Sequence, residues 1–377
     1  MQKIARIIPS LILLPLLALW SVPKALAQGG GPQIRITQVD NSRFPQVTVY
    51  VSVVNENGEP VGVDPNSIQI YENGQLMQPT DVRGGGDPAQ VIPVTTMLVV
   101  DISGSMDKNG KLDAAKEAAK AYVSQMRPGD QAGLMTYDTQ TYYVQPVTTD
   151  TAALINAIDG LTTGSDTAMY DALVEAESNL EAVTGRKAII VLTDGLDNKS
   201  HRTAGDVIAA MGEGGLSIST VGFGDASTRG QVGLDEAGLK SLAERTGGIY
   251  SFAGDAQTLS AIYQQYGQAL QSEYALTYIS PLSLRDGVNR ALTVSLSGKA
   301  VSASSEYNPG GVIPEVATQS WSLFATLFAG LLALLALPFL VNRGVQAFGA
   351  AIHKRGGAAK LNQRMPASSA KGRVKIK

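Results

Sequence analysis

From Val94 to Ser272 the chain alternates short apolar runs with amphipathic stretches of helical period, and this alternation narrows the choice of architecture more than any other feature. Leu98 to Val100, a run in QAGLMTY, Ala188 to Leu192, Leu216 to Val221 and Ile249 to Phe252 mark strands. The most apolar of them have no polar face and must be covered on both sides. Between them Leu112, Ala115, Ala119, Val123 and Met126 mark one helical face, stopped by Pro128-Gly129. Leu154, Ile155 and Ile158 mark a second helix, and Leu173, Leu180 and Val183 a third. Strands joined through helices predict an α/β fold with a doubly wound, mostly parallel sheet of Rossmann-like type.

The flanks follow a different period. Ile34 to Val39, Gln46 to Asn55 and Ser67 to Glu72 alternate as strands, with Asn57-Gly58 and Asn73-Gly74 as hairpin turn signals. Arg83-Gly-Gly-Gly-Asp-Pro88 reads as a break. Alternation returns in YALTYIS from Tyr274 and ALTVSLS from Ala291. Strands so few are marginal by themselves. They are expected to complete the sheet begun at Ile34, so that the α/β region is inserted into a β-sandwich.

The ends concern membranes. Residues 1–27 place Lys3 and Arg6 before an apolar run and finish in Ala25-Leu-Ala27, the form of a secretory signal peptide cleaved before Gln28. Trp321 to Val341 carries no charge, and such a length suffices to cross a hydrocarbon core of about 30 Å. The tail from Asn342 holds nine of the 30 Lys and Arg and no acid, whereas all 33 Asp and Glu lie between the two apolar segments. The positive-inside rule therefore predicts a single-pass protein in the cell membrane, with an acidic extracytoplasmic bulk and a cytoplasmic tail. Beside a span, a basic tail is explained by topology and anionic lipid, which argues against a nucleic-acid arm. The chain has no cysteine, which removes disulfides and thiol chemistry. The expected division is 1–27 leader, 28–93 first part of the sandwich, 94–272 α/β domain, 273–310 closing strands, 311–319 linker, 320–342 transmembrane helix and 343–377 tail.

In an open α/β sheet, ligands collect where strands deliver their carboxyl ends. The segment TTMLVVDISGSM ends an apolar strand in Asp101, Ser103 and Ser105. Alone, Asp-x-Ser-x-Ser also suits a helix cap. Two further pieces strengthen it: Thr167 in TGSDTAMYDAL, and Asp194 at the end of the apolar strand in AIIVLTDGLDN. Two carboxylates and three hydroxyls are hard oxygen donors, which select Mg²⁺, Mn²⁺ or Ca²⁺ over zinc or copper. So small a donor set suits octahedral Mg²⁺ better than a seven-oxygen Ca²⁺ cage.

This combination, with the MYDAL and GFG segments after it, resembles the metal-ion-dependent adhesion site of the von Willebrand factor type A domain, over about Val94 to Ser272. The resemblance implies that Ser103, Ser105 and Thr167 bind a divalent cation through hydroxyls. Asp101 and Asp194 would act directly or through water, and a protein partner would supply a Glu or Asp carboxylate as the last ligand. Without metal, Asp101 and Asp194 are expected to repel each other. Asp166 stands where the family usually has a small residue; it either adds negative charge to the site or points to solvent. Asp197 is either an orienting residue or an exposed turn residue.

An enzyme is disfavoured. A serine hydrolase would need a base, and His201 is the sole candidate outside the tail; no Gly-x-Ser-x-Gly elbow occurs. Gly222-Phe-Gly224 lacks the rest of a nucleotide-binding fingerprint. The alternative to adhesion is a structural subunit of a membrane complex, packed through the small-residue face of Ala325, Ala329, Gly330, Ala333 and Ala336.

Overall fold

The computed structural model describes residues 31–86, 90–212, 215–224, 233–311, 324–338 and 341. The leader, its cleavage site and the basic tail lie outside these residues, as do parts of the linker and of the expected span. The chain divides into two units, residues 1–313 and 314–377.

In the first unit a six-stranded sheet has the order β11-β10-β9-β6-β7-β8, formed by β6 (Val94–Asp101), β7 (Gln131–Tyr137), β8 (Thr141–Thr148), β9 (Arg186–Thr193), β10 (Ser217–Phe223) and β11 (Tyr250–Ala253). All pairings are parallel except that of β7 with the edge strand β8. Every residue of β6 is buried, and the period of two sends its side chains to opposite faces. Leu98 and Val100 join a core with α1 (Lys111–Val123), α2 (Thr151–Asp159) and α6 (Ala256–Gln271). Met97 and Val99 join another with α3 (Met169–Leu180), α4 (Ala204–Met211) and α5 (Glu236–Arg245). Each such Val or Leu contributes about 1.5–3 kcal/mol on burial, so the two helix layers hold the sheet by the contacts its composition requires. Met126 and Val183 lie beyond the ends of α1 and α3.

β6 and β9 are neighbours, and from them the chain winds outward in both directions. Their carboxyl ends therefore flank the switch point of the sheet, where Asp101 closes β6 and Asp194 follows β9.

Two four-stranded sheets are formed by further described residues of this unit. One has the order β1-β2-β12-β5, from β1 (Gln33–Asp40), β2 (Gln46–Val54), β5 (Asp81–Gly84) and β12 (Tyr274–Ile279). The other runs β14-β13-β3-β4, from β3 (Ile68–Glu72), β4 (Gln75–Met77), β13 (Arg290–Leu296) and β14 (Ser302–Tyr307). Val49 of β2 stands opposite Leu276 of β12, and Ile70 of β3 opposite Val294 of β13. All four side chains belong to one apolar cluster shared by the two sheets. Asn73 and Gly74 take φ of 48° and 80° to turn β3 into β4, a conformation that favours these residue types.

Three strands differ from the sequence reading. Arg83-Gly84, read as a break, lies in β5 and pairs with β12. β8 and β14 were not anticipated: both are edge strands with alternately half-exposed faces, β8 is interrupted by Gln145-Pro146, and β14, SASSEY, is nearly without apolar residues.

In the second unit, residues 324–338 are helical, and Leu327, Leu331, Leu334 and Leu335 are exposed on it. Among the described residues no helix is long and apolar enough to cross a membrane.

Candidate metal centre

Asp101 ends β6 with its side chain fully buried, and two donors hold it. Ser103 N donates to Oδ1 at 2.8 Å and Thr193 Oγ1 to Oδ2 at 2.7 Å. Burial raises the Asp101 carboxyl to about 6, against hydrogen bonds from Ser103 and Thr193 that lower it. The negative charge of Asp194 adds only a smaller upward push.

Past Asp101 the chain enters a short 3₁₀ segment, Gly104–Gly110, and Ser103 makes no side-chain cap to it. Its hydroxyl is turned instead toward Ser105, with the two Oγ atoms 3.0 Å apart. Ser105 Oγ in turn donates to Asp194 Oδ1 at 2.5 Å. Ser103, Ser105 and Asp194 thus form one contiguous run of oxygens.

The Thr167 loop is stitched to the serine loop by backbone. Gly164 N donates to Ile102 O at 2.6 Å and Gly104 N to Ser165 O at 2.7 Å. A Cβ on Gly164 would stand 2.0 Å from Asp138 Oδ2, so only glycine permits this approach. Thr167 is buried; its N–H donates to Asn198 Oδ1 at 3.0 Å, and its carbonyl accepts from Asn198 N and Lys199 N. A Cβ placed on Gly195 would lie 3.8 Å from Thr167 Oγ1, which puts the hydroxyl beside the Thr-Asp-Gly segment. All five expected residues therefore gather at one sheet edge.

The two doubtful aspartates have other partners. Asp166 is half-exposed and meets Lys199 at 3.5 Å. Asp197 accepts from Tyr170 N at 2.9 Å, near the start of α3, and from Ser200 N and Oγ, so it fixes the loop that holds Thr167. His201 is exposed, and its ring lies 3.2 Å from Asp171 Oδ2. The two serine hydroxyls contact each other, and that of Ser105 contacts Asp194.

One finding adds to an expectation. Asp194 does repel the Asp101 carboxylate, as its upward push on that carboxyl shows, but Asp194 is partly compensated, because the Lys111 ammonium donates to its Oδ2. Lys111 was missed in the sequence because it is the first residue of α1, in a stretch whose pattern reads only as a helical face. Its one signal is position, a cation six residues after Ser105.

The donor set fits a small, hard cation. Ligands at right angles on Mg²⁺, with bonds of about 2.0–2.1 Å, stand about 3 Å apart, and the Ser103 and Ser105 hydroxyls have that separation. Among the described residues no cluster of three or more His, Cys, Asp or Glu could hold a metal, so a cation here would rely on hydroxyls as well as carboxylates.

The sequence pattern of the von Willebrand factor type A domain matches residues 96–196. A UPF0353 protein of Nocardia farcinica is 24% identical over 260 residues, 59% of this chain and 76% of the relative. One of Mycolicibacterium paratuberculosis is 30% identical over 203 residues, 47% of this chain. That match spans 60% of the relative's length. Among solved structures, a von Willebrand factor type A protein from Catenulispora acidiphila aligns with a TM-score of 0.44 at 15% identity, over 74% of this chain and 73% of its own. The protein BatB from Bacteroides thetaiotaomicron aligns with a TM-score of 0.38 at 23% identity, over 46% and 96%. The matched segment, residues 96–196, includes Asp101, Ser103, Ser105, Thr167 and Asp194, and over it the chain is similar to a von Willebrand factor type A domain.

Proposed function

We propose that this chain is a protein-binding module that uses a divalent cation, Mg²⁺ before Mn²⁺ or Ca²⁺, to engage a Glu or Asp carboxylate of its partner. The observation that carries the reading is the run Ser103 Oγ, Ser105 Oγ and Asp194 Oδ1, with successive separations of 3.0 and 2.5 Å at the switch point of the sheet. In this reading Ser103, Ser105 and Thr167 offer neutral hydroxyls and Asp194 a carboxylate, while Asp101 orients Ser103 through its amide and contributes directly or through water. A set with so little negative charge leaves the cation electrophilic, and that is what the metal supplies when bound: an acceptor for one more carboxylate. The residues bind and turn nothing over. The two sheets around the shared apolar cluster then act as a β-sandwich that carries the α/β domain as an insertion.

For location we propose a signal peptide at 1–27, a single membrane span at 320–342 and an extracytoplasmic bulk. The helix at 324–338, with its exposed leucines, supports an apolar surrounding for that segment. It also favours a second reading, a membrane-complex subunit that assembles through the span, with metal binding secondary.

Thermal unfolding of the full chain with Mg²⁺, Mn²⁺ and Ca²⁺ tests the first reading, beside Asp101→Ala and Asp194→Ala. A cation bound only by the native state must raise the midpoint, and both variants should lose that rise. No rise in the wild-type chain at millimolar metal would sink the reading and leave assembly in front.

A further inference from the structure

The contact between Lys111 and Asp194 has a consequence for the proposed metal site, and the inference rests on that site being real. The Asp194 side chain is wholly buried, and its two oxygens have different partners: Oδ1 takes the Ser105 hydroxyl and Oδ2 the Lys111 ammonium. Burying a carboxylate without a countercharge is costly, so a buried one is either paired or, like Asp101, pushed toward its protonated form. Among the described residues Lys111 is the cation in contact with it.

The backbone is arranged for this reach. Asn109 and Gly110 both take left-handed φ, 57° and 66°, which ends the 3₁₀ segment and starts α1 at Lys111. The first residue of the helix thereby lies beside the serine loop. About a fifth of the Lys111 side chain is exposed, so the ammonium has a route to water without unfolding the helix.

We infer that Lys111 is a tethered competitor of the divalent cation: it neutralises Asp194 when metal is absent, and it weakens metal binding because two cations must share one carboxylate. The charge is needed in both states, by the loop without metal and against the metal with it. By reciprocity of linked binding, a metal that is weakened by the ammonium must loosen the ammonium by the same factor. Lys111 therefore sets the concentration at which the site loads, while the oxygen ligands set which cation fits.

The inference predicts opposite changes from one substitution. Lys111→Met should bind Mg²⁺ and Mn²⁺ about tenfold more tightly than the wild-type chain, within the range usual for coupled sites. Its metal-free thermal midpoint should be lower. Lys111→Gln keeps a hydrogen-bond donor without the charge and serves if the methionine variant fails to fold; Lys111→Arg should stay near wild type. Calorimetric titration of the full-length chain with each metal alone reads the affinities. A measurement without mutation accompanies it: amine-reactive labelling of wild-type Lys111, followed by mass spectrometry, should rise when Mg²⁺ is added. Equal or weaker metal binding by the uncharged variants, with labelling unchanged by Mg²⁺, would overturn the role of Lys111 and leave the metal site standing. Absence of metal binding in the wild-type and uncharged variants alike would overturn the site reading, and the inference with it.

Discussion

Arg186 and Glu273 form a buried ion pair, with Arg186 Nη2 2.8 Å from Glu273 Oε1 and both side chains almost without exposure. Arg186 opens β9, and Glu273 stands between α6 and β12, where the chain leaves the six-stranded sheet for the one containing β2. Arg186 also donates to Ser217 Oγ at 2.8 Å and to Gln38 Oε1 at 3.3 Å, and its guanidinium lies over the Tyr50 ring. One side chain thus binds β9, β10 and β1 together.

Removing one partner leaves a buried charge alone, which costs about 3–5 kcal/mol. Glu273→Ala should lower stability by that order, whereas Glu273→Gln, which retains an acceptor, should cost less. Urea unfolding of the full chain measures both. A loss under about 1 kcal/mol in Glu273→Ala would show that water reaches Arg186, since exposed pairs contribute no more than that.

Gly164→Ala should damage the candidate site without touching any of its five oxygen donors. The new Cβ meets Asp138 Oδ2, and Asp138 cannot easily yield because its other oxygen accepts from Gln140 N and Tyr142 Oη. The expected cost is about 1–3 kcal/mol, as for other steric insertions. Metal titration should show a weaker site, because the Thr167 loop would lose its hydrogen bonds to the serine loop.

Asp197→Ala should release the loop from the start of α3. Tyr170 N loses its acceptor, a capping loss of about 1 kcal/mol. Amide exchange should rise at Tyr170 and Ser200 while β6 stays protected; uniform exchange across the domain would argue against a local role.

With a chelator present, stability should carry the mark of Asp101. Its folded carboxyl titrates at about 6 and its unfolded one near 3.8. Between these values the folded state keeps a proton that the unfolded state has lost. The group's contribution therefore falls as pH rises from about 4 to about 6 and is constant above. Asp101→Asn should remove that decline, read as the difference between the two melting-midpoint profiles. Parallel profiles would mean that Asp101 is not raised. Metal affinity should increase through the same interval, because the cation competes with the proton.

Much of the site was legible because its pieces are local. Asp101, Ser103 and Ser105 sit within five residues at the end of a buried strand, and Asp194 ends another, so the strand-end rule puts them at one edge. The period of two in Met97 to Val100 likewise required cover on both faces, which two helix layers provide. Other elements had no local signal. β5 includes Gly84, which on propensity belongs in a turn; it is a strand because Tyr274 presents a partner for it. Asp197 read equally well as a turn residue until Tyr170 N supplied its role.

By itself, then, the amino-acid order determined what each segment must bury and which oxygens arrive together, since both follow from spacing along a strand or helix. Only the tertiary structure decided that Lys111 neutralises Asp194 across 83 positions and that Arg186 meets Glu273 across 87. The physical reason is that a charge pair depends on distance in space, and nothing in the residues adjoining either member records where the fold will bring its partner.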